Sequence, residues 1–335
     1  MKWYSVVTLG LLACTTHPMQ GGDDVGIDAP PEPSGVGCTP MSPRTTAPEA
    51  FVGPTGLQTR ITSFIDGAQH SLDVAMYIFT VDAIANRIVA ANQRGVAVRV
   101  MFDPDHPGND GARATLTTGN VAHRNAPAIY EFSHAKYLIA DGDALIMSAN
   151  FNVDAMSQER NYGLIDHDAD DVADLRAIFD MDWAAGGGEP AKLADLSCTR
   201  LVVSPNNSKQ RLVDLIASAS ATLEVEALYV SELAIRDAIA AAKRRGVSVR
   251  VILDGSTDNA ETKSSLISLG IPVHDASGFY CHAKLIIADG VVFVGSENFS
   301  LTALTRNREI GALVFEPVPA AVIRQQFDTD WNATH

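Results

Sequence analysis

Two short runs of this chain carry side chains suited to phosphate chemistry. The first is His134-Ala-Lys136, followed by Asp141, Ser148 and Asn150; the second is His282-Ala-Lys284, followed by Asp289, Ser296 and Asn298. In each, Lys stands two residues past His, Asp seven, Ser fourteen and Asn sixteen. A lone His-x-Lys arises by accident in many chains, but a five-point spacing met twice does not. Imidazole exchanges protons near neutral pH or attacks directly, lysine donates to anionic oxygen with a full charge, and asparagine donates without one. Two lysines facing one phosphodiester would neutralise charge developing on its non-bridging oxygens. One histidine could then attack phosphorus while the other protonates the leaving oxygen, and water would release the phosphohistidine so formed. No run of His, Cys and carboxylates shows metal-ligand spacing, so the lysines take the part a metal pair plays elsewhere, and neither metal nor cofactor is expected. Asp103-Pro104-Asp105-His106, followed by Pro107-Gly108, reads as a loop at the site's rim.

The spacing also implies geometry. Apolar runs flank Asp141-Gly142-Asp143 and Asp289-Gly290, and Asp-Gly between such runs signals a β-hairpin. Residues two apart in a strand share a face, so His134 and Lys136 point the same way. Folding the hairpin returns Ser148 and Asn150 beside them. The expected phosphate-binding set is therefore Lys136, Lys284, Asn150, Asn298, Ser148 and Ser296. Asp141 lies five residues past Lys136, roughly 16 Å along an extended strand. It and Asp289 read as turn or ion-pair residues rather than catalysts.

His-x-Lys-x4-Asp with a downstream Gly-Ser-x-Asn resembles the HKD motif of the phospholipase D superfamily, and the resemblance covers essentially everything from about Ala47 onward. It implies a pseudo-twofold arrangement with both motifs in one cleft, and a covalent phosphohistidine mechanism. Gly295-Ser296-Glu297-Asn298 fits the pattern, whereas the first copy has Met147 in place of Gly, which either narrows the phosphate pocket or packs. The resemblance further implies an acidic residue beyond the Asn that holds the motif histidine. Glu309, 27 residues past His282, takes that place, and the matching position after His134 is Asn161. A carboxylate on one imidazole nitrogen makes the other more basic, which favours His282 as the nucleophile. Family precedent favours His134, so the catalytic residues are His134, His282 and Glu309 with the order of the histidines open.

The elements that must position these residues are duplicated. Ser71-Leu-Asp-Val-Ala-Met-Tyr lines up with Thr222-Leu-Glu-Val-Glu-Ala-Leu, and Arg94-Gly-Val-Ala-Val-Arg-Val with Arg245-Gly-Val-Ser-Val-Arg-Val. Phe179-Asp-Met-Asp-Trp lines up with Phe327-Asp-Thr-Asp-Trp. In each copy a helix (56–68; 209–219) precedes a buried strand, and an amphipathic helix (81–94; 232–245) stopped by Gly precedes a β-branched strand (96–102; 247–253). That alternation argues an α/β fold: two tandem phospholipase D-like α/β/α sandwich domains, 47–190 and 191–335, joined through a Gly-rich linker. Trp183 and Trp331 read as core, and core packing outranks substrate contact for Tyr77 and Tyr229.

The 335 residues are 46% hydrophobic and 19% charged, ample for two cores. The net charge is −15, and the densest basic cluster is Lys243-Arg244-Arg245 on an expected surface helix. Nucleic-acid binding draws on cation clusters that release counterions, so DNA or RNA is the less favoured partner. At the N-terminus, Lys2 and the apolar stretch Trp3 to Ala13 form an export signal (1–13), too short to span a bilayer. Leu11-Leu12-Ala13-Cys14 resembles the lipobox of bacterial lipoproteins. That implies a lipid anchor at Cys14, a polar tether (14–46) and an envelope location. Cys38 and Cys198 are then the disulfide candidates, with Cys281 left as a small buried residue. The expected activity is hydrolysis or transfer of glycerophospholipid headgroups by a monomer with an accessible cleft. A secreted metal-independent endonuclease is the alternative, and a non-catalytic binding protein is disfavoured by two intact motifs.

Overall fold

The computed structural model describes residues 43–191, 196 and 199–334. The leader, Cys14, Cys38 and Cys198 lie outside these residues. The first half runs β1 (Glu49–Gly53), α1 (Leu57–Gly67), β2 (Ser71–Met76), α2 (Asp82–Gln93), β3 (Ala97–Phe102), α3 (Asp110–Thr118) and β4 (Ala122–Asn125). It continues with β5 (Lys136–Ala140), β6 (Asp143–Met147), α4 (Val153–Ser157), β7 (Glu159–Asp166) and α5 (Ala169–Gly186). The second half repeats the plan from β8 (Leu201–Ser204) through α6 (Ser208–Ser218), β9 (Thr222–Ala227), α7 (Leu233–Arg244), β10 (Ser248–Leu253), α8 (Ala260–Ser268) and β11 (Val273–Asp275). A short β12 (Tyr280–Cys281) then leads into β13 (Lys284–Ala288), β14 (Val291–Gly295), α9 (Leu301–Thr305), β15 (Glu309–Val314) and α10 (Pro317–Ala333).

Each half builds one mixed sheet, in the order β1-β7-β6-β5-β2-β3-β4 and β11-β10-β9-β13-β14-β15-β8. The β-α-β crossovers make β2, β3 and β4 parallel, as they do β9, β10 and β11. The hairpin strands run antiparallel to them. This is the duplicated α/β architecture that the sequence predicts. The hairpin tips fall at Asp141 and Asp289, each at a positive φ that Asp tolerates. Each carboxylate accepts from three consecutive backbone amides, those of Gln69, His70 and Ser71 for Asp141 and of Ser220, Ala221 and Thr222 for Asp289. The motif aspartates thus tie the hairpin to the start of the neighbouring strand through these amides, with the Ser220 hydroxyl also donating to Asp289, and pair with no Lys or Arg among the described residues.

Alternation along the hairpins divides the interior. Tyr137 and Ile139 of β5, with Leu285 and Ile287 of β13, enter a central core shared by both halves. Leu138 and Ala140 face an outer core under α1 and α2, and Ile286 and Ala288 face its counterpart under α6 and α7. Met147 sits wholly buried in the first outer core, so it packs there and takes no part in a phosphate pocket. Its partner position, Gly295, has no room for it: a Cβ there would stand 2.2 Å from Glu297 Oε2. In the first half Ala149 replaces that glutamate, which frees the space.

Candidate active site

The motif loops cross between the halves. His134 N donates to Arg308 O at 2.9 Å, and Arg308 N donates to Phe132 O at 2.9 Å. On the other side β12 pairs in parallel with the start of β7, and His282 N donates to Arg160 O at 3.2 Å. Each motif histidine is therefore seated on the strand of the opposite half, beside the residue that follows the arginine. For His134 that residue is Glu309, and for His282 it is Asn161.

This overturns the local assignment made from sequence. Glu309 does not hold His282; its Oε2 accepts from His134 Nδ1 at 2.8 Å. Its other oxygen accepts from Asn307 Nδ2 at 2.9 Å. His282 Nδ1 lies 3.0 Å from Asn161 Oδ1. Both bonds occupy Nδ1 and leave Nε2 for chemistry. Burial would raise the Glu309 pKa, but His134 and Lys136 beside it outweigh that and hold the carboxylate below its ordinary value. Burial lowers the pKa of His134 against the opposing pull of Glu309. It lowers that of His282 further, with Lys284, Lys136 and His134 all adding to the effect.

The lysines are deeper still. Lys136 and Lys284 are 0% and 2% exposed, and each ammonium donates to the carbonyl of its own motif histidine. Desolvation brings Lys136 down to about 7 and Lys284 to about 8, the like charge of Lys284 adding to the fall at Lys136. Asn150 and Asn298 each carry a buried side-chain oxygen without a partner among the described residues.

The two serines do not belong with the phosphate-binding set. Ser148 Oγ donates to Asn161 Oδ1 at 2.8 Å and accepts from Tyr162 N. Ser296 Oγ donates to Glu309 Oε2 at 2.6 Å and accepts from Ile310 N. With their single donor proton committed there, they fix the groups that orient the histidines. Tyr77 is likewise not a core residue. It is half-buried, with its ring 4.6 Å from that of His134 and 5.2 Å from Lys136 Nζ. Tyr229 is also only partly buried. Asp103 does more than form a rim, since its Oδ2 accepts from Ser133 N at 2.7 Å and so anchors the residue before His134.

Sequence reasoning passed over the residues that lock the crossing. Arg160 makes a two-point contact with Asp330, at 2.7 and 3.0 Å, and Arg308 reaches Asp182 at 2.8 and 2.9 Å. Each pair joins the start of a strand of one half, Arg160 within β7 and Arg308 just before β15, to the last helix of the other. The signal was available: both arginines recur at one place in the repeat, as does the second aspartate of Phe-Asp-x-Asp-Trp. The first aspartate of that run, Asp180 or Asp328, pairs within its own half, with Arg99 or Arg250.

The histidines are only 9% and 8% exposed, so the cleft is tighter than the accessible one expected from sequence. A cavity of about 770 Å³ lies elsewhere, beside the Asp141 turn, lined by residues such as Phe51, Arg60, Phe64 and His167. Among the described residues no group of three or more His, Cys, Asp or Glu side chains could hold a metal ion.

The family model described as "Cardiolipin synthase, PLD-like domain" matches this chain twice, over residues 61–183 and 212–331, one match on each half. The chain belongs to the phospholipase D superfamily. It is 33% identical over 131 residues to a mitochondrial cardiolipin hydrolase of Chlamydomonas reinhardtii, covering 37% of this chain and 58% of that protein. It is 21% identical over 303 residues to a cardiolipin synthase of Listeria monocytogenes, covering 75% of this chain and 62% of that protein. The matches thus span less than two thirds of either relative. In fold it resembles the crystal structure of phosphatidylserine synthase from Haemophilus influenzae, with a TM-score of 0.67 and 14% identity over 87% of this chain and 86% of the other.

Proposed function

We propose that this phospholipase D-like chain is a phosphodiesterase that hydrolyses glycerophospholipid headgroups, or transfers them to an alcohol, through a phosphohistidine on His134. The observation that carries the reading is the unequal pairing of the histidines, a carboxylate on His134 and an amide on His282, beside two buried lysines. Glu309 makes Nε2 of His134 the more basic nitrogen and stabilises the positive charge that grows on the ring as the P–N bond forms. Lys136 and Lys284 neutralise the non-bridging oxygens, with Asn150 and Asn298 as uncharged donors. His282 gives its Nε2 proton to the leaving oxygen as the P–O bond breaks. Water then attacks phosphorus, its proton passes to His282, and the P–N bond opens.

The lipid substrate is supported by the family description, by the names of both relatives and by the acidic charge balance. In this reading Cys14 carries the lipid anchor and keeps a monomeric enzyme at the cell envelope. The test follows turnover of mixed phospholipid vesicles and plasmid DNA in excess EDTA, alongside His134→Ala and His282→Ala. Headgroup release that survives EDTA and is lost by roughly 10²-fold or more in both variants is expected. DNA nicking with silent vesicles moves the chain to the nuclease branch. Peptide mapping of the trapped intermediate should place phosphate on His134, and label on His282 would reverse the roles. In the same preparation, Cys14→Ser should move the full chain from the membrane to the soluble fraction; a variant that stays put has no anchor there.

A further inference from the structure

The residues flanking the two interlocking arginines are transposed between the copies. The first half reads Glu159-Arg160-Asn161 and the second Asn307-Arg308-Glu309. Because each arginine is held by an aspartate of the opposite half, the flanking side chains occupy matched places. Each histidine thus meets the same trio of Glu, Asn and Ser in a different order. At His134 the carboxylate is in contact and the amide stands behind it. At His282 the amide is in contact and the carboxylate stands behind. Asn161 Nδ2 donates to Glu159 Oε2 at 3.3 Å, and that oxygen is 3.7 Å from His282 Nδ1.

The offset has a chemical consequence. A general acid must hold a proton before it can release it, and without a carboxylate nearby the buried imidazole would be left neutral. Among the described residues His282 also faces Lys284, Lys136, His134, Asn161, Ser148 and the Tyr280 ring, all positive or neutral. Glu159 is 6% exposed and faces Lys284, Asp154, Asn152 and Asn161. Burial raises its pKa, and Lys284 and Asn161 oppose that rise.

Resting on the phosphodiesterase reading above, we propose that Glu159 is a positioning residue that lets His282 carry the proton for the leaving oxygen, and that the Glu–Asn transposition sets which histidine attacks. The proton moves from His282 Nε2 to the departing alkoxide as phosphorus passes to His134; in the second step it returns from water. Nothing else is consumed.

The experiment compares the full chain with Glu159→Gln and Glu159→Asp on two phosphodiesters. One has an alkyl leaving group, which needs a proton; the other has a nitrophenyl group, which leaves as the anion unaided. Glu159→Gln should lose about tenfold or more on the alkyl ester and keep nitrophenyl turnover within about twofold. Its alkyl-ester pH profile should lose activity at lower pH than wild type, because His282 gives up its proton earlier. Glu159→Asp, or Asn161→Asp added to Glu159→Gln, should restore alkyl turnover by returning the charge. Equal losses on both esters, a loss no charge restores, or no loss on either would overturn the role. Wild-type silence on both esters would instead remove the phosphodiesterase reading itself, and this role with it.

Discussion

At the scale of single residues, the site is a balance of charges held away from water. Two lysines with pKa values of about 7 and about 8 stand beside histidines whose own values burial lowers. An ammonium with a lowered pKa is present below that value and lost as pH rises through it. The lysines must be charged to meet a phosphodiester, so on a nitrophenyl ester, which needs no proton from His282, kcat/KM should fall above about pH 7–8, far below the ordinary lysine range. Once bound, the substrate anion favours the ammonium form, so the corresponding limb of kcat should lie at higher pH. A pH–rate series resolves both limbs, and a kcat/KM that stays level to pH 10 would show that the lysines keep ordinary values. The five-point spacing shows in sequence which residues matter here. It does not show that Ser148 and Ser296 turn away toward Asn161 and Glu309, because both faces of a strand end are open until its neighbours are placed.

At the scale of elements, a single exchange explains why the two motifs differ in spelling. Gly295 and Gly311 pair across β14 and β15, and Glu297 Oε2 lies against both. The equivalent pair in the first half is Met147 and Gly163, with Ala149 in place of the glutamate. Each half keeps one large side chain in that space. Gly295→Met alone should overpack the site and destabilise the fold by about 1–3 kcal/mol. Combined with Glu297→Ala it should recover most of that loss. Thermal unfolding of the three variants measures this, and a double variant no more stable than the single one would rule out the shared space. The helices and strands around this exchange lie within a residue or so of their sequence limits, 57–67 against 56–68 and 97–102 against 96–102. Those elements were legible because amphipathic period, Gly stops and β-branched runs are local properties.

At the scale of the whole molecule, the halves are one catalytic unit. They share the central core, each histidine is oriented by the opposite half, and each orienting strand is pinned by the opposite half's last helix. Fragments covering 47–190 and 191–335 should therefore be inactive separately and should self-associate through the exposed core face. Co-expression should restore turnover in a 1:1 complex, measured by activity and hydrodynamic size. Turnover by either fragment as an isolated monomer would contradict the crossing.

The sequence by itself determined the α/β class, the duplication, the hairpins and the roster of His, Lys and Asn, since each rests on periodicity or spacing within one copy. It also carried the signs of the interlock, in Arg160, Arg308, Asp182 and Asp330, without saying which met which. Only the tertiary structure decided that Glu309 serves His134 and Asn161 serves His282. The physical reason is that a pseudo-twofold contact exchanges neighbours: the loop before each histidine hydrogen-bonds to the other copy's strand, so a partner 175 residues away displaces the one that sequence spacing alone suggests.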